Sequence, residues 1–384
     1  MEQVILANAR YWLHQLGHPM QENLFPESKL AGAARAFEAL LTIPEAWALT
    51  RELALALHPV IERSGHWADW DSCLQILVLR AHERIDQAAE AELLLRRGTI
   101  LRQRGDYLQA IISCRRAWQL YRRAKDWQGQ ASAFSQLGDL YRLQGKFQRA
   151  ETLCRAALAF FDRDAHIPEL AYSENRLGLI FFDQRRYPEA LTHLLRAQDL
   201  WRVNGDQYNL AKSLHNLGEL YRRSGDLERA AIYLEQAIHF YLAVGDEIHA
   251  ARARLNIGNI YLRQADLRQA EATYIQAESV LRRAGDSLDL AGTRHNLGIV
   301  YTRMEIWGEA EACFRRALEQ WHIREDPRNQ ANTMGEMAML FLARGWQSEA
   351  VACLDEAIGL ISGRSEANFI GLLHELVERR ARLE

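Results

Sequence analysis

Three asparagines, Asn216, Asn256 and Asn296, recur at one fixed interval, each followed by an aliphatic residue and a glycine. A primary amide carries donors and an acceptor side by side, so it matches a peptide bond whatever side chain that bond serves. Three at equal intervals would make a ladder for an extended chain. Lys212 and Arg252 stand four residues before two of these asparagines, and His215 and His295 stand immediately before two. Arg223, Arg263 and Arg303 follow each asparagine by seven residues, Arg222 lies beside the first of them, and Arg102 and Arg142 hold matching positions earlier. Glu219, Asn259, Asp139 and Asp183 lie among them. Guanidinium forks suit carboxylates, so the set fits an acidic ligand or a solvated charged face. The two histidines fit a binding surface or a solvated face, and not a metal site.

What must position these side chains is a repeat. The small residue recurs as Gly98, Gly138, Gly178, Gly218, Gly258, Gly298 and Ala338, and Ala110, Ala150, Ala190, Ala230, Ala270, Ala310 and Ala350 follow twelve residues behind. Three residues past each first mark stands Leu101, Tyr141, Phe181, Tyr221, Tyr261, Tyr301 or Phe341. Leu214, Leu217, Gly218 and Tyr221 share one helix face, and Ala230, Leu234, Ala237 and Tyr241 share another. Between them "RSGDLE" supplies a helix stop and an acidic start. Small residues at both marks predict two antiparallel helices in close approach. Asp126, Asp206, Asp246, Asp286 and Asp326 are expected to cap the next helix, with His166 breaking the series. Each unit is a hairpin that must stack on its neighbours to bury its apolar faces.

Motifs for catalysis are missing. There is no phosphate-binding GxxxxGK[ST], no HExxH and no GxSxG, so neither an enzyme nor a cofactor site is expected. The five cysteines show no CxxC spacing. Cys114 and Cys154 share one inward slot, and Cys73, Cys313 and Cys353 share the slot before it, which suits core packing better than a tetrahedral metal site. A net charge of −3 argues against a general nucleic-acid binder. No apolar run reaches the roughly 18 residues that span a bilayer, and the N-terminus lacks a signal peptide's basic region. The expectation is a cytoplasmic protein with no membrane association.

These marks resemble the tetratricopeptide repeat (TPR) family in its 40-residue form, over about residues 51–370. The resemblance implies an all-α, right-handed superhelical solenoid of about eight hairpins. Residues 1–50 would be an N-terminal helical cap and 51–90 a degenerate unit with His58 at the glycine position. Residues 91–363 would be the array, and 364–384 a capping helix with Phe369, Leu372, Leu373 and Leu376 on one face. Thr42 and Glu45 read as a capping box opening a helix, "GHPMQENLFPES" as a joint between two short helices, and Trp67 and Trp70 as shields for the end of the stack.

By the same resemblance, the first helix of each unit lines a concave surface, where similar members use an asparagine at this slot to grip an extended peptide. Asn216, Asn256 and Asn296 would then form the ladder, in a groove with Lys212, Arg252, His215, His295, Glu219, Asn259, Arg223, Arg263, Arg303, Arg176 and Gln136. A residual consensus, or a hydrogen bond between neighbouring helices, would also place asparagines there. The function implied is a non-catalytic adaptor for a protein or peptide partner, acidic at mid-groove, with homo-oligomerisation through the caps left open. "GHWADW" and the "GD" turns of "VNGDQYNLAKSLHNLG" are also similar to the sensor arrays of bacterial STAND-type NTPase regulators, which implies a sensor subunit acting in trans. A structural subunit contacting partners by its convex face or caps is the third reading.

Overall fold

A computed structural model describes residues 1–17, 27–64, 67–164, 166–364 and 367–383. The expected joint at 17–28 lies mostly outside these residues, as do positions 65–66 of "GHWADW". All regular structure among the described residues is helical. The chain divides into two compact units, Met1–Leu220 with Ala243–Gly245, and Tyr221–Leu242 with Asp246–Glu384.

The first unit opens with α1 (Glu2–Gly17) and α2 (Glu27–Leu40), followed by a 3-10 turn at Pro44–Ala46. The capping box does not form. Thr42 Oγ1 instead donates back to the Ala39 carbonyl at 2.7 Å, and Ile43, which has no capping side chain, precedes the turn. Hairpins follow as α3 (Trp47–Ser64) with α4 (Trp67–Glu83), α5 (Gln87–Gln103) with α6 (Tyr107–Ala124), α7 (Trp127–Leu143) with α8 (Phe147–Asp164), and α9 (Ile167–Asp183) with α10 (Tyr187–Asn204). Most of α11 (Gln207–Ser224) completes the unit. Trp70 is buried against Phe37 of α2, ring centroids 5.2 Å apart, so the N-terminal helices cover it.

The second unit holds the end of α11, nearly all of α12 (Leu227–Ala243), then α13 (Glu247–Arg263) with α14 (Leu267–Ala284), α15 (Ser287–Arg303) with α16 (Trp307–Ile323), and α17 (Pro327–Ala343) with α18 (Gln347–Ile361). Helix α19 (Ala367–Ala381) closes it, burying Phe369 and Leu376 with Leu372 and Leu373 packed beside them.

Close approach within hairpins is visible at the small residues. A Cβ placed on Gly138 would lie 2.3 Å from Cys154 Sγ and 3.1 Å from the Ala150 carbonyl oxygen. On Gly178 it would meet Leu194 Cγ at 2.7 Å and the Ala190 oxygen at 3.3 Å. Burial pushes the Cys114 and Cys154 thiols up to about 12, as expected of cysteines used as small apolar groups. Turns obey the same period. Gly105, Gly145, Arg185, Gly225, Ala265, Glu305 and Gly345 take positive φ inside hairpins. Lys125, Gly205, Gly245, Gly285 and Glu325 do so between them. A left-handed residue ends a helix because its N–H can close on the last free carbonyls. The aspartates cap as expected: Asp126 Oδ1 accepts from Gly129 N at 2.9 Å, and Asp326 Oδ1 from Asn329 N at 3.0 Å. His166 makes no such bond.

Two expectations follow. Gly138→Ala should cost about 1–3 kcal/mol by forcing the hairpin apart, whereas Gly292→Ala, with nothing within 4 Å of its Cβ, should gain up to about 1 kcal/mol of helix propensity; urea unfolding midpoints compare them. The second concerns His58, 2% exposed, whose Nδ1 accepts from Trp70 Nε1 at 3.2 Å. Burial lowers this imidazole from the ordinary 6.5 to about 4. A lowered folded pKa contributes stability above the unfolded value and loses it as pH falls through the folded one. Wild type should therefore lose more Tm than His58→Gln between about pH 6.5 and pH 4.

Candidate functional site

In the first unit the odd-numbered helices bring their charged ends onto one face. Arg102 of α5 reaches Glu62 of α3 at 4.0 Å and Asp139 of α7 at 3.8 Å. Arg142 of α7 binds Asp139 at 2.9 Å and Asp183 of α9 at 2.6 Å. Burial alone would raise the Asp139 carboxyl, but the cations of Arg142, Arg102 and Arg176 outweigh it and hold it at about 2. Lys212 of α11 lies close enough to feel Glu62, Arg102, Arg176 and Asp139, which span four other helices. Burial lowers its pKa, yet its side chain keeps partial access to solvent. Tyr172 behaves alike: burial raises its phenol while the residue stays 39% exposed. Both side chains thus lie in dense surroundings and keep a path to solvent.

Asn216 sits on that face one turn past Lys212 and gives an Nδ2 hydrogen to Asn175 Oδ1 of α9 at 2.9 Å. Asn209 Nδ2 donates to Tyr172 Oη at 3.0 Å. Arg176, in the Asn216 slot one hairpin earlier, donates to the Ser135 hydroxyl and lies 5.6 Å over the Tyr172 ring. Gln136, one hairpin earlier again, is half-buried and has Cys114 Sγ at 3.5 Å from Oε1.

The second unit uses its polar slots internally. Asn296 Nδ2 donates to Asn259 Oδ1 at 3.0 Å, and Tyr274 Oη donates to the same oxygen at 2.7 Å. Arg252 binds Asp286 at 2.9 Å and Asp289 at 2.5 Å. Arg263 reaches the Arg222 carbonyl at 3.4 Å and Arg303 the Leu262 carbonyl at 3.3 Å, each at the end of the preceding first helix. His295 is held by the next hairpin. Thr333 Oγ1 already donates to the Asn329 carbonyl, so His295 Nδ1–H is the donor to Thr333 at 2.9 Å. Burial lowers the His295 pKa, as a packed neutral ring requires. Asn256, His215 and Glu219 are half-buried and Arg223 is exposed, all four engaged with neighbours. Among the described residues no group of His, Cys, Asp or Glu side chains is placed to hold a metal, and no helix is long and apolar enough to cross a membrane.

A tetratricopeptide repeat model matches residues 87–163, 169–243, 249–321 and 289–361. The chain belongs to the tetratricopeptide repeat family. Among curated proteins no sequence matches it. Solved structures of similar fold include a Pyrococcus horikoshii STAND signal-transduction ATPase with a tetratricopeptide repeat sensor, at 14% identity and TM-score 0.70, covering 100% of this chain and 55% of that one. A Rap protein complexed with competence and sporulation factor is similar at 14% identity and TM-score 0.62, covering 100% of both chains. BtubC from P. vanneervenii is similar at 24% identity and TM-score 0.51, covering 57% of this chain and 92% of that one.

Within this tetratricopeptide repeat frame, the slot that holds Ser135 and His295 faces the following hairpin. Ser135 meets Ser173 at 3.3 Å just as His295 meets Thr333, at the same sequence separation. Position-by-position reading therefore missed Tyr172, Asn175 and Glu62. Tyr172 stands one full repeat before Lys212, so carrying the lysine slot back by that period would have found it. Asn216 and Asn175 should show a coupling on the order of 1 kcal/mol in a double-mutant cycle to Ala, read by urea unfolding.

Proposed function

We propose that the protein is a non-catalytic interaction module that holds an extended peptide, or an extended segment of a partner protein, on the concave face of the first unit. The observation that carries this reading is the convergence of side chains from α3, α5, α7, α9 and α11 on one polar face that is densely walled yet open to solvent. Asn216 uses one N–H on Asn175. Its other N–H and its carbonyl suit a peptide bond. Similarity in fold to a Rap protein complexed with competence and sporulation factor supports the same reading.

A sensor role in trans is the second reading, favoured by the fold shared with the sensor-bearing STAND ATPase. It uses the same face and differs in what the bound state controls. A photo-crosslinking residue at Tyr172, in the groove, should capture a partner from source-cell lysate. The same residue at Ile112, 51% exposed on α6, should not. Capture only at Ile112 would move the contact to the second helices and favour a structural subunit.

A further inference from the structure

Where α4, α5 and α6 meet, the first unit encloses a cavity of about 380 Å³. It opens at the N-terminal end of α5, beside Glu90. Arg102, which meets Glu62 and Asp139, stands twelve residues further along that helix, about 18 Å away at the helical rise. The cavity is therefore separate from the polar face described above. Its floor is a carboxylate already neutralised: Glu90, 2% exposed, is ion-paired with Arg116 of α6, and His82 Nδ1 of α4 lies 3.0 Å from its Oε2. The wall differs. Among the described residues nothing pairs with the exposed Arg123 guanidinium, and the side-chain amides of Gln87 and Gln119 make no hydrogen bond. Helix α6 itself carries no acidic residue to answer Arg123. The rim holds Ile85, which has a φ of 58° and is 80% exposed. Matching turns use Gly205, Gly245 and Gly285. A β-branched residue is strained in this region, and an exposed side chain gains no burial to offset the strain. Contact with an apolar ligand would supply it.

We propose that this cavity is a second ligand site, independent of the peptide reading, which binds a small organic monoanion: a carboxylic acid with an apolar body. Arg123 takes the carboxylate through its guanidinium fork. Gln87 and Gln119 offer further N–H donors, and the apolar body lies on Ile85 and beside the buried Leu120. Local charge sets the valence. Glu90 and Arg116 cancel, which leaves the charge of Arg123, and the carboxylate in the floor disfavours a second negative charge on the ligand. Volume sets the size. Ligand cavities run to about 300–1,000 Å³, and this one stands at the small end, where a compact molecule fits and a chain of several residues does not. A bound acid would join α4 to α6, the second helices of neighbouring hairpins, and so stiffen the junction between them.

The test titrates the full chain with hexanoate, benzoate and phenylacetate, each beside its own primary amide, and with inorganic phosphate, by isothermal titration calorimetry. At least one acid should bind with a Kd below about 1 mM, and its amide about tenfold more weakly. Arg123→Gln should bring that ratio close to one, and Arg123→Lys should restore part of it. Arg122→Gln, at the neighbouring arginine that lies over the Trp118 ring instead, should leave it unchanged. Ile85→Gly should weaken acid and amide alike, so the ratio stays while both affinities fall. The same change should raise the Tm of the free protein, because glycine takes the turn without strain. Failure of all three acids to bind at about 10 mM would overturn the site. Acid binding unchanged by Arg123→Gln would overturn the assignment of residues, and phosphate bound more tightly than every acid would overturn the ligand class.

Discussion

The distance between the two helices of a hairpin is set where a glycine of the first faces the residue sixteen positions later on the second. That residue is Cys114 opposite Gly98, Cys154 opposite Gly138, Leu194 opposite Gly178, Tyr274 opposite Gly258 and Phe314 opposite Gly298. Contacts of 2.3–2.7 Å to a hypothetical Cβ recur at all five, so the missing methyl is the constant and the partner's volume the variable. Where the partner is a cysteine, the helices close on a small sulfur. Where it is an aromatic ring, the glycine makes room for the ring instead. Either way the close approach recurs at the same position of each of these hairpins.

Register explains why the polar slots do two jobs. A polar side chain on a first helix can reach the first helix of a neighbouring hairpin, because the two lie side by side. Asn216 and Asn296 each spend one N–H on a neighbouring asparagine. Leaving such a half-buried amide unmatched would cost more than the bond itself contributes. An amide has capacity for further bonds after this one, whereas a hydroxyl or an imidazole has little. The asparagine slot can therefore stabilise the stack and still meet a ligand. His295, with both ring nitrogens engaged by Thr333 and Asn332, has no such reserve.

The repeat length, hairpin boundaries and capping aspartates were legible in the sequence because each rests on local chemistry: a small residue, a left-handed turn, a short acceptor at a helix start. The polar positions of the first helices were legible only as a set of slots. What each slot does depends on its neighbour about one repeat away in the chain, and the partners change from repeat to repeat. Lys212 and Arg252 occupy the same slot, yet Arg252 meets Asp286 and Asp289 while Lys212 meets the Tyr208 ring. Thr42 fails as a cap for a similar reason, since its hydroxyl finds the Ala39 carbonyl behind it before any N–H ahead.

The ion pairs of the first unit bear on binding through rigidity more than through net attraction. Arg102, Asp139, Arg142 and Asp183 link α5, α7 and α9. Partly exposed pairs contribute little stability singly, but here the shared charges of Asp139 and Arg142 are each fixed by two partners, which holds their side chains in place. Binding then loses less side-chain freedom, which is where much of the cost of association lies. A face whose charges are mutually satisfied also presents little attraction to a random anion.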